Sequence, residues 1–340
     1  MDMISEVLQT VRLTGGVFFD TKYAAPWSIS SPAAAELAKI MRTKAECVSQ
    51  FHLVSEGKCR YILDSYKSFQ ADEGNFIIFP HCNAHTMCSE ADTYSKPIDS
   101  ILPFEDCDNI QEVHYGGNGK KCQVLCGFVH NEQKLNPLIG SLPDVLVVSP
   151  PESGLWKHAA EKDVALLPNM IQRKSGDWVD QTLNFLAREA KSKKPGSAMM
   201  MIRLAEILFV EVLRQYIKKF PKESGGWLAG IKDHQVGLAL RLLHEHPEHQ
   251  WDVDELANAV GLSRSSLGQR FKMMVGEPPI SYLTSWRMQL AKSLLLKPSE
   301  NVASIAAKVG YDSDVAFNRA FKRYKGEPPV SWRKRALKLN

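Results

Sequence analysis

Histidine and cysteine side chains in the first half of the chain are of the types that bind transition metals. Zn²⁺ prefers imidazole and thiolate donors, usually four in a tetrahedron. The candidate ligands are His52, His81, His85, Cys122 and Cys126. Cys122 and Cys126 are separated by three residues, and on a strand such residues lie about 13 Å apart. Both can therefore join one site only if the backbone bends between them.

The cysteines admit two other interpretations. All seven lie in the first half, and an odd number without an export signal argues against a disulfide framework. A thiol near a cation can have a lowered pKa and act as an oxidant sensor, for which Cys82, Cys88 and Cys126 are candidates. The alternative is that these cysteines are inert core residues and that His52 is an interior histidine with satisfied hydrogen bonds.

Short strand-like runs must position these side chains. Residues 47–150 contain FHLVSEG, CRYIL, GNFIIFP, CQVLCGFV and VLVV, punctuated by Gly, Asn and Pro. This pattern predicts an antiparallel barrel or jelly roll. The run from Gly74 through Pro80 to His85 resembles the second cupin motif, with Cys82 in place of a glycine. The resemblance implies that His52, His85 and Cys126 converge and that His81 or Cys122 completes a zinc site.

An internal repeat dominates the last third of the chain. Val275-Gly276-Glu277-Pro278-Pro279 recurs as Lys325-Gly326-Glu327-Pro328-Pro329. Upstream of each copy, VDELANAVGLS and VASIAAKVGYD place apolar residues on one helical stripe that ends at a glycine. A polar capping residue and a second helix follow each glycine. The sequence therefore predicts two helix-turn-helix units.

The second helix of each unit has a polar outer face that suits DNA. The first presents Arg264, Ser265, Ser266, Gln269, Arg270 and Lys272, and the second presents Ser313, Asp314, Asn318, Arg319, Lys322 and Arg323. These side chains can reach base edges or phosphates. Between the units, apolar residues at helical spacing over 282–296 predict a rod of about 22 Å. Such a rod can hold two readers about one DNA turn apart.

Residues 232–335 resemble the DNA-binding domain of the AraC/XylS family. The matching features are the two units, Trp286-Arg287-Met288 in the connecting helix, and GYDSDVAFNRAFKRYKGEPPVSWR. The resemblance implies that both second helices enter successive major grooves of double-stranded promoter DNA. Carried over by position, the base-facing residues are Ser265, Gly268, Gln269, Asp314, Val315, Asn318 and Arg319. It also implies a cupin-type sensor domain and RNA polymerase as a further partner, with an activator and a repressor both open.

The middle of the chain is helical. Trp178, Leu183, Leu186 and Ala190 outline one amphipathic helix, and residues 199–217 form a strongly apolar one. A helix this apolar must bury most of its surface, on its own barrel or on a second subunit, and a homodimer interface is the favoured interpretation. The expected fold class is α+β, with a cupin-like barrel at 1–155, a helical linker and dimerisation segment at 156–220, and the DNA-binding domain at 228–340. The segment PKESGG, 221–226, is the predicted linker.

Charge and composition bound the function. From residue 231 onward, 17 Lys and Arg face 11 Asp and Glu, a charge of +6, whereas the first 230 residues carry 25 and 27, a charge of −2. The C-terminal part is the one suited to a polyanion. No signal peptide or apolar span is evident, so a cytoplasmic protein that does not enter membranes is expected. A metal cupin enzyme and a non-specific nucleoid protein are the weaker alternatives, and no enzymatic activity is expected.

Overall fold

The structure is a computed structural model that describes residues 13–41, 47–63, 68–90, 93–104, 110–131, 137–150, 170–172, 178–192, 194–219, 226–297 and 299–337. The chain forms two compact units. The first comprises Leu13–Lys134 and Leu142–Lys218, and we call it the sensor unit after the role expected from its sequence. The second is mainly Lys219–Asn340 with Leu135–Ser141, and we call it the DNA-binding unit for the same reason. The predicted 155/156 boundary and most of the predicted linker at 221–226 lie outside the described residues.

The sensor unit is built on twelve described strands. They are β1 Leu13–Ala24, β2 Ser28–Ser31, β3 Cys47–Glu56, β4 Lys58–Leu63, β5 Ser68–Asp72, β6 Phe76–Phe79, β7 His85–Cys88, β8 Lys96–Pro97, β9 Gln111–Gly116, β10 Lys121–Asn131, β11 Leu146–Ser149 and β12 Met170–Gln172. They form a seven-stranded sheet in the order β12-β11-β6-β3-β10-β1-β9 and a five-stranded sheet in the order β5-β4-β7-β2-β8. Within the described strands these remain two sheets, rather than one continuously hydrogen-bonded barrel.

The register of the larger sheet sets the geometry of the unit's interior. In the antiparallel pair β3–β10, His52 lies directly opposite Cys126. Directly paired residues of antiparallel strands have Cβ atoms about 4.5–5.5 Å apart, so these two side chains are neighbours on one face. Buried aromatic residues from both sheets surround them, including Phe19, Tyr61 and Phe79. The register therefore places an imidazole and a thiol inside an apolar core.

Helices complete the sensor unit. They are α1 Ala34–Ile40, α3 Trp178–Ser192 and α4 Ser197–Lys219, with the short α2 Pro137–Gly140 assigned to the other unit. In α3, Val179 is buried in the place predicted for Trp178, which is 43% exposed. The buried apolar face of α3 therefore begins one residue later than the sequence predicted. In α4, Met201, Leu208 and Val212 are buried on one face.

The DNA-binding unit is entirely helical among its described residues. Its helices are α5 Trp227–Lys232, α6 His234–Glu245, α7 Val253–Ala259, α8 Arg264–Val275, α9 Pro279–Leu295, α10 Val302–Lys308, α11 Asp314–Lys325 and α12 Pro329–Leu337. The two helix-turn-helix units are therefore α7–α8 and α10–α11. The connecting helix α9 has 17 residues, about 25 Å at 1.5 Å per residue. No described helix is long and apolar enough to cross a bilayer.

Candidate nucleic-acid interface and effector site

The first recognition helix, α8, is defined by caps at both ends. The Ser263 hydroxyl accepts a hydrogen bond from the Ser266 N–H at 3.2 Å, which satisfies one of the free donors at the helix start. The helix ends at Gly276, whose φ of +92° closes the last turn. Leu267 and Phe271 are fully buried. The exposed side carries Arg264, Ser265, Ser266, Gln269 and Lys272, with Gly268 half-buried.

The second recognition helix, α11, repeats this construction. Ser313 accepts from the Ala316 N–H at 3.2 Å, and Gly326 ends the helix at φ +78°. Phe317 and Phe321 are fully buried, each 50 residues after its counterpart in α8. The exposed side carries Ser313, Asp314, Val315, Arg319 and Arg323, with Asn318 half-buried and donating to the Asp314 carbonyl. The predicted contact residues of both helices therefore lie on solvent-facing surface.

One arginine of α8 has a structural role that its sequence position hides. Arg270 donates to Asp233 Oδ2 at 2.6 Å and to Gln235 Oε1 at 2.8 Å, at the start of α6. Burial alone would raise the pKa of Asp233, but bonds from the Val236 N–H and Arg270 hold it below its usual value. Arg270 thus ties α8 to α6 instead of facing DNA. Arg264, in contrast, is exposed and pairs with exposed Asp254 at 2.6 Å.

A buried hydrogen-bond chain anchors α9 to the start of the unit. Trp227 Nε1 donates to the Tyr282 hydroxyl at 2.9 Å, and that hydroxyl lies 2.7 Å from His244 Nε2. Burial lowers the pKa of His244 to about 3, so its ring is neutral and its Nε2 can accept a hydrogen bond from the Tyr282 hydroxyl. Sequence patterns miss this chain because its members are 38 and 55 residues apart.

The sensor unit encloses a polar cluster, which we call the inner cluster: His52, Tyr61, His85 and Cys126. His52 Nδ1 lies 3.2 Å from Cys126 Sγ, and the rings of His52 and His85 are 5.4 Å apart between centroids. The Tyr61 ring lies 5.6 Å from that of His52. All four side chains are at most 4% exposed. The structure therefore brings together three of the five predicted donors.

The inner cluster is uncharged near neutral pH. Burial lowers the pKa of His85 to about 4 and raises that of Cys126 to about 12. Burial, with the neighbouring His85, holds the pKa of His52 well below its usual value. His85 Nδ1 lies 2.9 Å from the Asn83 carbonyl, which can only accept. The proton is thus on Nδ1, and the Nε2 lone pair of His85 has no hydrogen-bond partner among the described residues.

The two other predicted donors lie elsewhere. His81 Nε2 bonds the Leu142 carbonyl at 3.0 Å. Cys122 neighbours Cys59, and this thiol contact together with burial raises the pKa of Cys59 well above its usual value. No group of three His, Cys, Asp or Glu side chains in the described part of the chain is arranged to hold a metal ion. From Cys122 to Cys126, β10 pairs with β1 without a shift of register, and the two thiols lie in separate contacts along the strand.

A groove opens beside this interior within the sensor unit. It has a volume of about 1060 Å³, and Trp27 and Cys59 lie in its lining. Its rim is charged with both signs, from Lys58, Arg60 and Asp72 among others. Cys82 lies on the turn before β7 and adopts φ +49°, the left-handed conformation that glycine usually occupies in the motif.

Comparisons with known proteins match both halves. A model of the cupin family matches residues 2–162 and 157–218, and one described as a helix-turn-helix domain matches residues 256–335. An AraC-like transcription regulator of Streptomyces antibioticus is 38% identical over 294 residues, 85% of this chain and 88% of that protein. One of Streptomyces lividans is 31% identical over 296 residues, 86% and 89% respectively.

Among solved structures, the DNA-binding domain of AdpA in complex with a target DNA is 30% identical, covering 30% of this chain and 91% of that one, with a TM-score of 0.29. The paired capped helices and the cupin sheets define a helix-turn-helix transcription regulator with a cupin N-terminal domain. The chain belongs to the AraC family of DNA-binding transcription regulators. The predicted family and fold class are thereby confirmed.

Proposed function

We propose that the chain controls transcription by placing α8 and α11 in successive major grooves of promoter DNA. The observation that carries this proposal is the repeated construction of these helices, each capped by serine, buried on one side and polar on the other. Ser265, Gly268 and Gln269 face bases from α8, and Asp314, Val315, Asn318 and Arg319 do so from α11. Arg264, Ser266, Lys272, Ser313 and Arg323 contact the backbone.

Base and phosphate contacts have separable consequences. Exposed Lys272 and Arg323 release counterions on binding, so the affinity falls as salt rises. Contacts to base edges instead change the preference for sequence. Quantitative gel shifts of a duplex selected from a random library, against a scrambled duplex of equal length, test the proposal. An affinity ratio near one between the two duplexes would favour a non-specific nucleoid protein and count against it.

The sensed signal is proposed to act at the inner cluster. It offers an unpaired acceptor, His85 Nε2, beside the Tyr61 hydroxyl, which has no hydrogen-bond partner among the described residues. Buried polar atoms without partners are costly, so they mark a place where an uncharged polar small molecule would gain hydrogen bonds. Ligand binding would shift the population of the DNA-binding state. Native mass spectrometry of the purified protein and of its His85→Phe variant tests this, because the variant should lose the bound molecule.

Zinc is the second candidate signal. No group of three such side chains in the described part of the chain is arranged to hold a metal, so His52, His85 and Cys126 would have to rearrange to bind the ion. The Nδ1–H bond of His85 to a carbonyl is the orientation that metal-binding histidines commonly show. Bound zinc would supply a structural crosslink between β3, β7 and β10. Metal analysis before and after chelation, followed by DNA affinity in each state, tests it. A metal-free protein with unchanged affinity would remove zinc from consideration.

Oxidant sensing by Cys88 or Cys126 is the weaker interpretation. Burial raises the pKa of both thiols, and a protonated thiol reacts slowly with oxidants. We therefore expect hydrogen peroxide to leave DNA affinity unchanged. A loss of affinity that dithiothreitol restores would reverse this ranking.

Helix α4 is proposed as a homodimer interface. Met199, Met200 and Ile207 are about half exposed. Ile207 also lines a groove of about 540 Å³ with Trp178 and Val210. Sedimentation of an Ile207→Glu variant tests this, with Tyr94→Glu, an exposed aromatic outside the groove, as control. The dimer would then bind promoter DNA in the cytoplasm. There it would act on RNA polymerase as an activator.

A further inference from the structure

The turn of the second helix-turn-helix unit contacts the segment that leads into the first unit, in addition to the connection through α9. The contact is made by residues 246–252, here the bridging loop, which joins α6 to α7. Arg287 of α9 is 8% exposed. Its Nε donates to the Pro247 carbonyl at 2.6 Å and its Nη2 to the His249 carbonyl at 2.7 Å. A planar guanidinium with two such bonds holds the loop in one orientation against α9.

The same guanidinium contacts the turn of the second unit. Gly310, between α10 and α11, has φ +75°, and a Cβ placed on it would lie 2.5 Å from Arg287 Nη2. The guanidinium carbon also lies 5.8 Å from the centre of the Tyr311 ring. The bridging loop adds its own bond, from Gln250 Nε2 to the Gly310 carbonyl at 2.7 Å. The loop, α9 and the turn therefore meet at one point, where Arg287 and Gly310 are buried and Gln250 is exposed.

This meeting point differs from what a connecting helix alone would provide. A rod joined to each unit at one end fixes their separation but leaves each free to pivot. A second attachment away from the rod axis removes that pivot. The burial of a charged guanidinium is costly unless its donors are satisfied, even with the carboxylates of Glu248 and Asp312 near enough to interact with its charge. Here two loop carbonyls and an aromatic face satisfy it, which is consistent with a geometric role.

We propose that Arg287 and Gln250 form a latch that fixes the angle between α8 and α11, and thereby the base-pair spacing that the protein accepts between its two DNA segments. Both are positioning residues, since they act through the two units and touch no base themselves. This inference rests on the proposed use of both recognition helices.

The test measures spacing tolerance with full-length protein. The probe is the duplex selected from a random library, and companion duplexes carry one or two base pairs inserted between the two footprinted segments. Each inserted pair moves one segment by about 3.4 Å and rotates it by about 35°. The variants are Gln250→Ala and Arg287→Lys. The control is Arg333→Lys, which loses an arginine hydrogen bond to the Leu295 carbonyl but lies outside the latch and the bridging loop.

We expect the wild-type protein and the control to discriminate strongly against the inserted duplexes. Both latch variants should shrink that discrimination by about tenfold, as expected for the loss of coupling between two sites. Their affinity for a duplex with one segment alone should stay unchanged. Circular dichroism confirms folding, and Gln250→Ala keeps the test available if Arg287→Lys unfolds.

Two results would overturn the latch. If folded Gln250→Ala lost equal affinity for the parent and inserted duplexes, or none for either, the contacts would be structural only. If the wild-type protein itself showed no dependence on spacing, both the latch and the use of two recognition helices would fail. The two failures are distinguishable because only the second changes the wild-type result.

Discussion

Replacement of Arg319 by alanine separates base recognition from the other roles of an arginine on a recognition helix. Arg319 is exposed on α11 and forms no ion pair or hydrogen bond within the described part of the chain. Its removal should therefore change the free energy of unfolding by less than about 0.5 kcal/mol. If its guanidinium contacts a base, the affinity for the selected duplex should fall by about 1–3 kcal/mol, or roughly 5- to 150-fold.

Two further arginines provide internal comparisons. Arg323→Ala removes a proposed phosphate contact, so the affinities for selected and scrambled duplexes should fall together. The negative slope of log affinity against log salt should become smaller in magnitude by about 0.9. Arg270→Ala removes the inward ion pair with Asp233. Because the Arg270 side chain is 40% exposed, its loss should cost only about 1 kcal/mol of folding free energy.

The assay is fluorescence anisotropy at several salt concentrations, combined with chemical unfolding of each variant. Of the three arginine variants, only Arg319→Ala should reduce the affinity ratio between selected and scrambled duplexes. An equal loss on both duplexes would make Arg319 a phosphate contact. A marked loss of stability would show that its side chain has a packing role that the structure does not show.

Three other predictions follow from the described side chains. Tyr282→Phe should lower the free energy of unfolding by about 2–5 kcal/mol, because it leaves a buried indole N–H and an imidazole nitrogen unpaired, which urea titration will show. His85 and His244, with folded pKa values of about 4 and about 3, bind protons more readily when unfolded. Stability should therefore fall as pH drops below about 6.5, by about 2 kcal/mol for each at pH 5, and a flat profile in urea titrations would contradict their burial. Gly310→Ala should destabilise more than Gly261→Ala in thermal melts. Both have positive φ, but only the former meets other atoms within 4 Å. Equal losses would argue against the contact with the latch arginine.

The helical half could be predicted because its signals are local. Caps, turn glycines and apolar stripes lie within a few residues of one another, so Ser263, Gly261 and Leu267 can be assigned from the sequence alone. The residues that hold these helices relative to one another could not. Arg270 is indistinguishable in sequence from a DNA contact, and its partner Asp233 is 37 residues away.

The inner cluster was predictable only in part, for the same reason. The motif resemblance placed His52, His85 and Cys126 near one another. It did not exclude Cys122 from the site. Cys122 lies four residues before Cys126 along β10, and its thiol contacts a different neighbour, Cys59. Cys122 is therefore absent from the inner cluster because of the strand register. That register depends on pairing partners 60 or more residues distant in sequence.

The most direct measurement is hydroxyl-radical footprinting of the full-length protein on the duplex that it selects from a random library. The account predicts two protected segments on one face of the DNA, about one helical turn apart, with Arg319→Ala weakening one segment and Gln269→Ala the other. A single protected segment, or uniform protection that does not depend on sequence, would contradict recognition by two helices.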